Sequence, residues 1–345
     1  MRNNTVIKRI LIWFFVLMAA LGITGVIFIY FTVFASNVQQ TTYFYIPTGS
    51  SYQQVKKMLK NDTIVSNLNT FDRVAQRKNY PNRVMPGRYL LIEGMSNNAL
   101  VNLLRSGEQA PVRLTITNIR TVEELAASIA IQIELDETTI YEALTDSTAI
   151  VDSGLDTPDI KLLFIPNTYE VFWNISETQL LARMQREYNA FWHEGRLARA
   201  SEIGMTSQEV GILASIVQSE TNKQDEKARI AGVYMNRLVR RIPLQADPTV
   251  VYALGDFTIN RVLNSHLEID SPYNTYMHAG LPPGPINLPE PATIDAVLNY
   301  EKHDYLFFSA KADFSGYHVF ARTYREHLRN AREYQQALNE RRIFR

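Results

Sequence analysis

The chain has 345 residues with 35 basic and 35 acidic side chains, so it carries no formal net charge and its composition gives no support for a nucleic-acid partner. It contains no cysteine, which excludes disulfides and thiolate chemistry, and its six histidines show no metal-ligand spacing, so we expect neither a metal nor another cofactor. The length suffices for a membrane segment and about two domains.

The first predicted element is a membrane-spanning helix. Residues 10–35 are almost wholly apolar and uncharged, and about 20 such residues cross a bilayer. Arg2, Lys8 and Arg9 precede this run, so the positive-inside tendency predicts a cytoplasmic tail over residues 1–9. No small-x-small cleavage site follows, which favours an uncleaved anchor over a signal peptide. Everything after Ser36 is therefore expected on the outer side of the membrane.

Residues 43–110 are predicted to form a small α/β module. Strands are expected over 43–46 and 86–92 and helices over 53–59 and 97–104, with an irregular stretch between the first helix and the second strand. The module resembles the LysM-type fold, whose members bind sugars. A spacer that holds the rest of the chain away from the membrane is an equally good interpretation.

Residues 111–345 are predicted to form a mixed α+β domain, so the fold class expected for the whole chain is α+β. Capping boxes at 121–124 and 206–209 begin two helices, whereas 134–162 is polar and irregular. Two stiff loops, 272–276 and 280–286, are expected to shape the rim of a site. Further helices are predicted over 179–192, 225–238, 292–300 and 324–341. Strands are predicted over 113–117, 305–309 and 317–320, and the last two are expected to pair.

The helix pattern singles out Glu220 as a candidate catalytic residue. Val217, Leu213 and Val210 precede it at helical spacing, so its carboxyl continues an apolar stripe that faces the core. Partly apolar surroundings disfavour the charged form and raise the pKa of a carboxyl, which suits a general acid. The alternative is a helix-terminal glutamate that reaches water or pairs with a nearby cation: Lys223, Lys227 or Arg229.

Three linked motifs lie between residues 213 and 252. They are Leu213-Ala-Ser-Ile-Val-Gln-Ser-Glu-Thr221, Ala231-Gly-Val-Tyr-Met-Asn-Arg-Leu238 and Leu244-Gln-Ala-Asp-Pro-Thr-Val-Val-Tyr252. Together they resemble the endolytic murein transglycosylases of the MltG (YceG-like) family. The anchor, the LysM-like module and a catalytic domain also occur in the family's order, so the resemblance covers nearly the whole chain.

The resemblance implies cleavage of peptidoglycan strands between N-acetylmuramic acid and N-acetylglucosamine without water, which leaves a 1,6-anhydro-muramic end. The family's catalytic glutamate, in a Glu-Thr pair, falls on Glu220. Many members carry another glutamate two residues earlier, where this chain has Gln218, but on a helix that position points away from Glu220. A transglycosylase needs one carboxyl, whereas the usual glycoside hydrolase uses two.

The remaining motif residues are expected to bind substrate through hydrogen bonds to sugar hydroxyl and acetamido groups, or through ring stacking. They are Asn236, Gln245, Asp247, Thr249, Tyr273, Asn274, Thr275 and Tyr276. For each of them a structural role in a cap, a turn or the core is the alternative. Asp247 is the clearest example, because it can cap a helix in which Pro248 takes the first position.

Two other functions stay open at this point. A muramidase-type hydrolase would use Asp247 or Glu226 to assist water, and a non-catalytic scaffold would bind peptidoglycan and recruit cell-wall synthases. The family resemblance implies a location in the bacterial cytoplasmic membrane with the catalytic domain outside. It also implies proximity to penicillin-binding synthases, because the family's proposed work is to release new glycan and so to set strand length.

Overall fold

The computed structural model of the protein describes residues 2–148, 155, 159–259 and 261–341. The chain divides into two compact units, one made of Met1–Arg113 and Glu170–Ile175 and the other of Leu114–Tyr169 and Ser176–Arg345. Helices and small two-stranded sheets follow one another along the chain, which confirms the predicted α+β class.

Helix α1 spans Arg2–Val33. Its segment Ile7–Val33 has 27 residues and is long and apolar enough to cross a membrane. Large apolar side chains such as Trp13 and Phe15 are exposed along it, as expected for a helix whose surroundings are lipid. The structure therefore contains a helix of the kind that the apolar run predicts.

The rest of the first unit packs three helices against a two-stranded sheet. Strand β1 (Thr42–Ile46) runs antiparallel to β2 (Gly87–Leu91), with Phe44 opposite Tyr89, and both of these rings are buried. The helices are α2 (Tyr52–Asn61), α3 (Leu68–Arg77) and α4 (Asn97–Ser106), and a short 3-10 helix covers Tyr80–Asn82. The two strands and helices α2 and α4 come in the predicted order, and the LysM-like identity of the module stays a prediction.

Helix α3 was not expected, because the sequence there appeared irregular. The helix buries Phe71, Val74 and Ala75, and the half-buried Leu68 packs against the same core. The side chain of Asn67 caps it by accepting a hydrogen bond from the backbone N of Thr70 at 3.1 Å. These apolar positions have the i, i+3 and i+7 spacing of an amphipathic helix, but the helix has only 10 residues and the signal was missed.

A pair of buried asparagines joins α1 to this module. The amide of Asn97 donates to the backbone O of Thr32 at 2.8 Å and to Oγ1 of Thr70 at 3.0 Å. Its Oδ1 accepts from the amide of Asn37 at 2.5 Å. Asn37 is 4% exposed and Asn97 1%, so water cannot replace these bonds. Since only residues 34–41 connect α1 to β1, the last turn of α1 is fixed to the module.

The second unit is mainly helical. Its helices are α5 (Val122–Ala130), α6 (Glu137–Thr145), α7 (Glu177–Phe191), α8 (Glu194–Glu202), α9 (Ser207–Glu220), α10 (Gln224–Val239), α11 (Asp247–Leu254), α12 (Pro291–Leu298) and α13 (Tyr324–Glu340), with 3-10 helices over Ile160–Leu163 and Asn264–Glu268. Strands β3 (Val112–Ile116) and β4 (Asn167–Val171) form a second sheet. Strands β5 (Phe307–Ala310) and β6 (His318–Ala321) pair antiparallel, which confirms the strand pair predicted there.

The segment 134–162 is more regular than predicted. Helix α6 lies within it and buries Ile140 and Leu144, and Asp136 caps it. Part of the predicted irregular stretch, 149–154 and 156–158, lies outside the described residues. The short helix was missed because two buried side chains at i and i+4 give a weak periodic signal.

The Asn97 amide predicts a large effect of a small substitution. Asn97→Ala removes the donor to the Thr32 carbonyl and one of the two acceptors of the buried Asn37 amide, which still donates to the backbone O of Asn67 at 3.1 Å, so it should lower the free energy of unfolding by about 2 kcal/mol. Thermal and denaturant unfolding of the full-length protein in detergent measures this loss. Asn102→Ala, on the exposed face of the same helix, is the matched control; an equal loss in both variants would contradict the role of the buried network.

Candidate active site

Glu220 is the last residue of α9. The helix begins with a capping box between Thr206 and Glu209, and its positions 210–217 are all buried. Thr221 then turns to extended backbone, with φ −149° and ψ 142°, and its hydroxyl accepts from the backbone N of Lys223 at 3.0 Å. The helix is thus rigid along its length and stops at the residue that carries the carboxyl.

The Glu220 carboxyl faces a cleft of about 450 Å³. Side chains from several elements line this cleft, among them Glu220, Tyr234, Arg237, Gln245, Asp247, Tyr276 and His327. Glu220 also borders a second hollow of about 490 Å³, with Lys223 and residues of the segment that joins β5 to β6 on its walls. The carboxyl therefore lies where two open spaces meet.

Burial raises the pKa of the Glu220 carboxyl to about 7, and the nearby charge of Asp247 acts in the same direction. The hydroxyl of Tyr234 opposes this shift, because it donates to Oε1 of Glu220 at 2.5 Å and favours the carboxylate. Near neutral pH the group can therefore hold a proton, give it away and take one back.

The cations that the sequence offered as partners of Glu220 are engaged elsewhere. Nζ of Lys227 donates to Oγ1 of Thr293 at 2.6 Å, and Arg229 pairs with Glu301 at 2.9 Å. Nζ of Lys223 lies over the ring of Tyr317. Among the described residues, none of these three cations pairs with Glu220, which leaves its carboxyl available to a ligand in the cleft.

Arg237 connects several segments of the cleft wall. The residue is 5% exposed, and its guanidinium donates to the backbone O of Leu306 at 2.7 Å and of Leu244 at 2.7 Å, and to Oε1 of Gln245 at 3.2 Å. Neither Arg237 nor Tyr234 was predicted to have a role in the site. Both lie on the otherwise apolar side of α10, and a cation on an apolar helix face indicates a buried charge that must find hydrogen-bond partners.

Gln245, Asp247 and Tyr276 are the predicted binding residues that line the cleft. The hydroxyl of Tyr276 donates to Oδ1 of Asp247 at 2.5 Å. Asp247 is the first residue of α11 and makes no side-chain capping bond, so the capping interpretation of this residue is wrong. Gln245 has φ 52°, a left-handed conformation that costs energy outside glycine and often accompanies functional positions.

Three other predicted binding residues are buried and hold the 272–276 loop. The hydroxyls of Thr249 and Thr275 lie 2.8 Å apart, and the Asn274 amide donates to the backbone O of Leu267 and of Ile269, both at 2.9 Å. Thr249, Asn274 and Thr275 are at most 1% exposed. In this conformation their polar atoms bond to the protein and not to the open cleft.

Asn236 and Tyr273 also lie outside the cleft. The Asn236 amide donates to the backbone O of His303 at 2.7 Å, next to a close approach at Gly232, where a Cβ would lie 2.3 Å from the O of Glu301. The ring of Tyr273 packs on Tyr252, with centroids 4.7 Å apart. Their predicted contact with substrate stays a prediction, and the observed contacts support neighbouring segments.

Gln218 points away from the carboxyl, as the helix geometry predicts. Its amide N donates to the backbone O of Leu288 at 3.1 Å, and its Oε1 accepts from the backbone N of Glu290 at 2.7 Å. Residues 284–289 are buried and include the end of the proline-rich 280–286 loop, whereas Pro283 is exposed. The last part of this loop is therefore packed into the protein beside α9, and its place at the rim of a site stays a prediction.

The other candidate acids and bases have different surroundings. Both carboxylate oxygens of Glu226 accept from His318, from its backbone N at 2.9 Å and its Nδ1 at 3.0 Å, and Glu226 lines neither space beside Glu220. His327 borders the cleft and stacks on Phe307. Burial and the charge of Arg237 lower the pKa of His327, which favours the neutral imidazole.

Comparison with known proteins gives a consistent set of similarities. A sequence profile of the YceG-like family matches residues 44–333. The protein named endolytic murein transglycosylase of Bacillus subtilis (strain 168) is 30% identical over 313 residues, which cover 86% of this chain and 85% of that protein. Proteins of the same name from two strains of Streptococcus pneumoniae are 30% identical over 325 residues, 84% of this chain and 57% of their own length.

A crystal structure of a yceG-like protein from Listeria monocytogenes has a similar fold. The TM-score is 0.57 at 27% sequence identity, and the match covers 84% of this chain and 98% of that one. The similarity thus extends over both sequence and structure.

The raised pKa of Glu220 predicts that stability falls as pH rises. The unfolded chain releases this proton near pH 4.5 and the folded chain near 7, so between these values the native state binds more protons. Glu220→Gln removes the cost of ionising a buried carboxyl and should be more stable than the wild type above pH 7 by about 3 kcal/mol, with no difference below pH 4.5.

Denaturant unfolding between pH 4 and 8 measures this difference. Glu209→Gln, exposed on the same helix, is the matched control and should follow the wild type, because glutamine also serves in a capping box. A difference between Glu220→Gln and wild type that is constant across this pH range would contradict the assignment.

Proposed function

Because this chain belongs to the YceG-like family, we propose that it is a membrane-anchored endolytic lytic transglycosylase of peptidoglycan. In this proposal it cleaves the bond between N-acetylmuramic acid and N-acetylglucosamine without water and leaves 1,6-anhydro-muramic ends. The observation that carries the proposal is Glu220, a carboxyl with a pKa near 7 that faces an open cleft.

The first step uses the protonated form of Glu220. Its proton passes to the glycosidic oxygen, the bond from that oxygen to C1 of the muramic residue breaks, and an oxocarbenium-like centre develops on the muramic ring. The Tyr234 hydroxyl, 2.5 Å from Oε1, stabilises the carboxylate that forms. Tyr234 is a positioning residue, since it acts through Glu220.

The second step returns the proton. The C6 hydroxyl oxygen of the same muramic residue attacks C1, and its proton passes to the Glu220 carboxylate, so the acid is regenerated and no water is consumed. An internal nucleophile gains an effective concentration that free water lacks. A single carboxyl is sufficient for both proton transfers, and its pKa near 7 suits both directions.

Asp247 supports a second candidate, a muramidase-type hydrolase. It is the other carboxylate among the described side chains that line the cleft, and it could assist a water molecule. Its oxygen accepts the Tyr276 hydroxyl, which leaves Glu220 as the group whose pKa suits an acid. A non-catalytic scaffold is less well supported, because binding alone gives no reason for a carboxyl with a raised pKa in an open cleft.

The proposed location follows from the apolar helix α1 and from the basic residues at its N-terminal end, Arg2, Lys8 and Arg9. With α1 across the cytoplasmic membrane and the N-terminus inside, the remaining chain acts on glycan outside, close to the bilayer. Release of new glycan there would end strand elongation beside membrane-bound penicillin-binding synthases, which we propose as partners.

The products distinguish the candidate functions. Full-length protein in detergent is incubated with peptidoglycan glycan strands, and the products are analysed by mass spectrometry. Transglycosylation gives ends lighter than hydrolytic ends by one water. Glu220→Gln should lower turnover by about 10³-fold or more, because it removes the only proton donor proposed for the leaving oxygen.

Glu209→Gln on the same helix should retain the activity of the wild type. Reducing ends in place of anhydro ends would indicate hydrolysis with Asp247 as the second carboxylate. Absence of products from the wild type would contradict both enzymatic functions.

The Tyr234 hydrogen bond predicts a change in pH dependence. Since this bond lowers the pKa of Glu220, Tyr234→Phe should raise that pKa further, and kcat/KM should begin to fall at a higher pH than in the wild type. The maximal rate should drop about tenfold, because the carboxylate formed in the first step loses a donor. Tyr188→Phe, which loses a hydrogen bond to Ser207 outside the cleft, is the control. An unshifted profile in Tyr234→Phe would exclude the proposed tuning.

A further inference from the structure

The second hollow beside Glu220 has a different chemical character from the cleft. We call it the Lys223 hollow and define it by Glu220, Lys223, Lys311, Phe314, Gly316 and Tyr317, which are among the residues on its walls. Both spaces contain a cation, but the Arg237 guanidinium in the cleft already bonds two backbone carbonyls and Gln245, whereas Lys223 in the hollow has no acidic partner among the described residues. An anionic group attached to a sugar near Glu220 would therefore find an ammonium without an ion pair on the side of the Lys223 hollow.

Lys223 is held in the hollow by contacts that leave its charge without an acidic partner. Its Nζ lies 4.8 Å from the ring centroid of Tyr317, and its backbone N is fixed by Oγ1 of Thr221. Among the described residues, no carboxylate forms an ion pair with Lys223. Lys311 differs, because Asp313 pairs with it at 3.0 Å.

The opposite wall of the hollow is formed by a strained segment. Phe314 has φ 60°, a left-handed conformation that is rare for a bulky side chain, and its ring packs on Tyr334 with centroids 5.7 Å apart. Gly316 has φ 78°, a conformation that favours glycine, and it lies beside the stem of Lys223. Strain of this kind persists where the surrounding structure maintains it, and it is concentrated at ligand sites.

The Tyr317 ring under Lys223 is also fixed. Its hydroxyl donates to Oδ2 of Asp225 at 3.2 Å, so this carboxylate bonds the tyrosine and does not pair with the lysine. The hollow thus combines an ammonium that has no ion pair with the aromatic side chains of Phe314 and Tyr317. This combination fits a short peptide that carries free carboxylates and small apolar side chains.

We propose that the Lys223 hollow binds the anionic stem peptide carried by a muramic acid residue next to the cleaved bond, with Lys223 paired to a peptide carboxylate. This inference rests on the proposed function, because muramic acid bears its peptide on a lactyl ether and the scissile bond lies at Glu220. The hollow then distinguishes strands that carry peptides from strands that have lost them.

The test compares two substrates with the full-length protein in detergent. One is glycan strands with intact stem peptides, and the other is the same strands after an amidase has removed the peptides, which leaves only the lactyl carboxylate. The readout is the ratio of kcat/KM for intact strands to kcat/KM for stripped strands. The wild type should prefer intact strands, and Lys223→Gln should lower the ratio by about tenfold, mainly through KM.

Two further variants control for charge and for folding. Lys223→Arg keeps the charge and should hold the ratio within about threefold of the wild type. Lys311→Gln removes a lysine from the same hollow that already has an acidic partner and should change the ratio by less than about threefold. Melting temperatures of all variants exclude a folding defect as the cause.

The possible failures are distinguishable. Absence of anhydro products from the wild type on both substrates contradicts the proposed function itself. Full turnover with an equal ratio in the wild type and Lys223→Gln contradicts only the stem-peptide site. An equal drop of the kcat/KM ratio in Lys311→Gln also overturns the assignment. It would show that the preference depends on the overall positive charge of the hollow and not on Lys223 itself.

Discussion

The candidate active site depends on the hydrogen bonds of one buried guanidinium, that of Arg237. A charge removed from water must be matched by hydrogen bonds, and Arg237 finds them in the carbonyls of Leu306 and Leu244 and the side chain of Gln245. These acceptors belong to the start of β5 and to the segment before α11. Tyr234 lies three residues earlier on the same helix, so α10 fixes both the wall of the cleft and the donor to Glu220.

Two faces of helix α9 have different roles: one carries the candidate acid, and the other holds a neighbouring segment in place. Glu220 faces the cleft, whereas Gln218 and Ser215 hold residues 286–290 through hydrogen bonds. Gln218 donates to one backbone carbonyl and accepts from one backbone N, which a carboxylate cannot do. The amide at this position therefore suits the contacts around it, and the proposed single-acid chemistry does not require a carboxylate there.

The sequence predicted what depends on neighbouring residues and missed what depends on distant ones. The apolar run of α1, the capping box of α9 and the β5–β6 pair were all predictable, because propensity and periodicity are local. The surroundings of Asn236 were not, since its amide bonds to His303, which is 67 residues away along the chain. For the same reason a threonine such as Thr249 could not be recognised as buried: its hydroxyl partner, Thr275, comes from another segment.

The asparagine pair at the end of α1 makes the connection between this helix and the rest of the first unit rigid. A flexible linker would leave the orientation of the module independent of the helix, but Asn97 bonds the backbone O of Thr32 in the last turn of α1. Membrane helices respond to a thinner or thicker bilayer by changing their tilt. If α1 lies in a bilayer as proposed, the first unit must rotate with the helix, so a change in membrane thickness would change the orientation of this unit relative to the membrane.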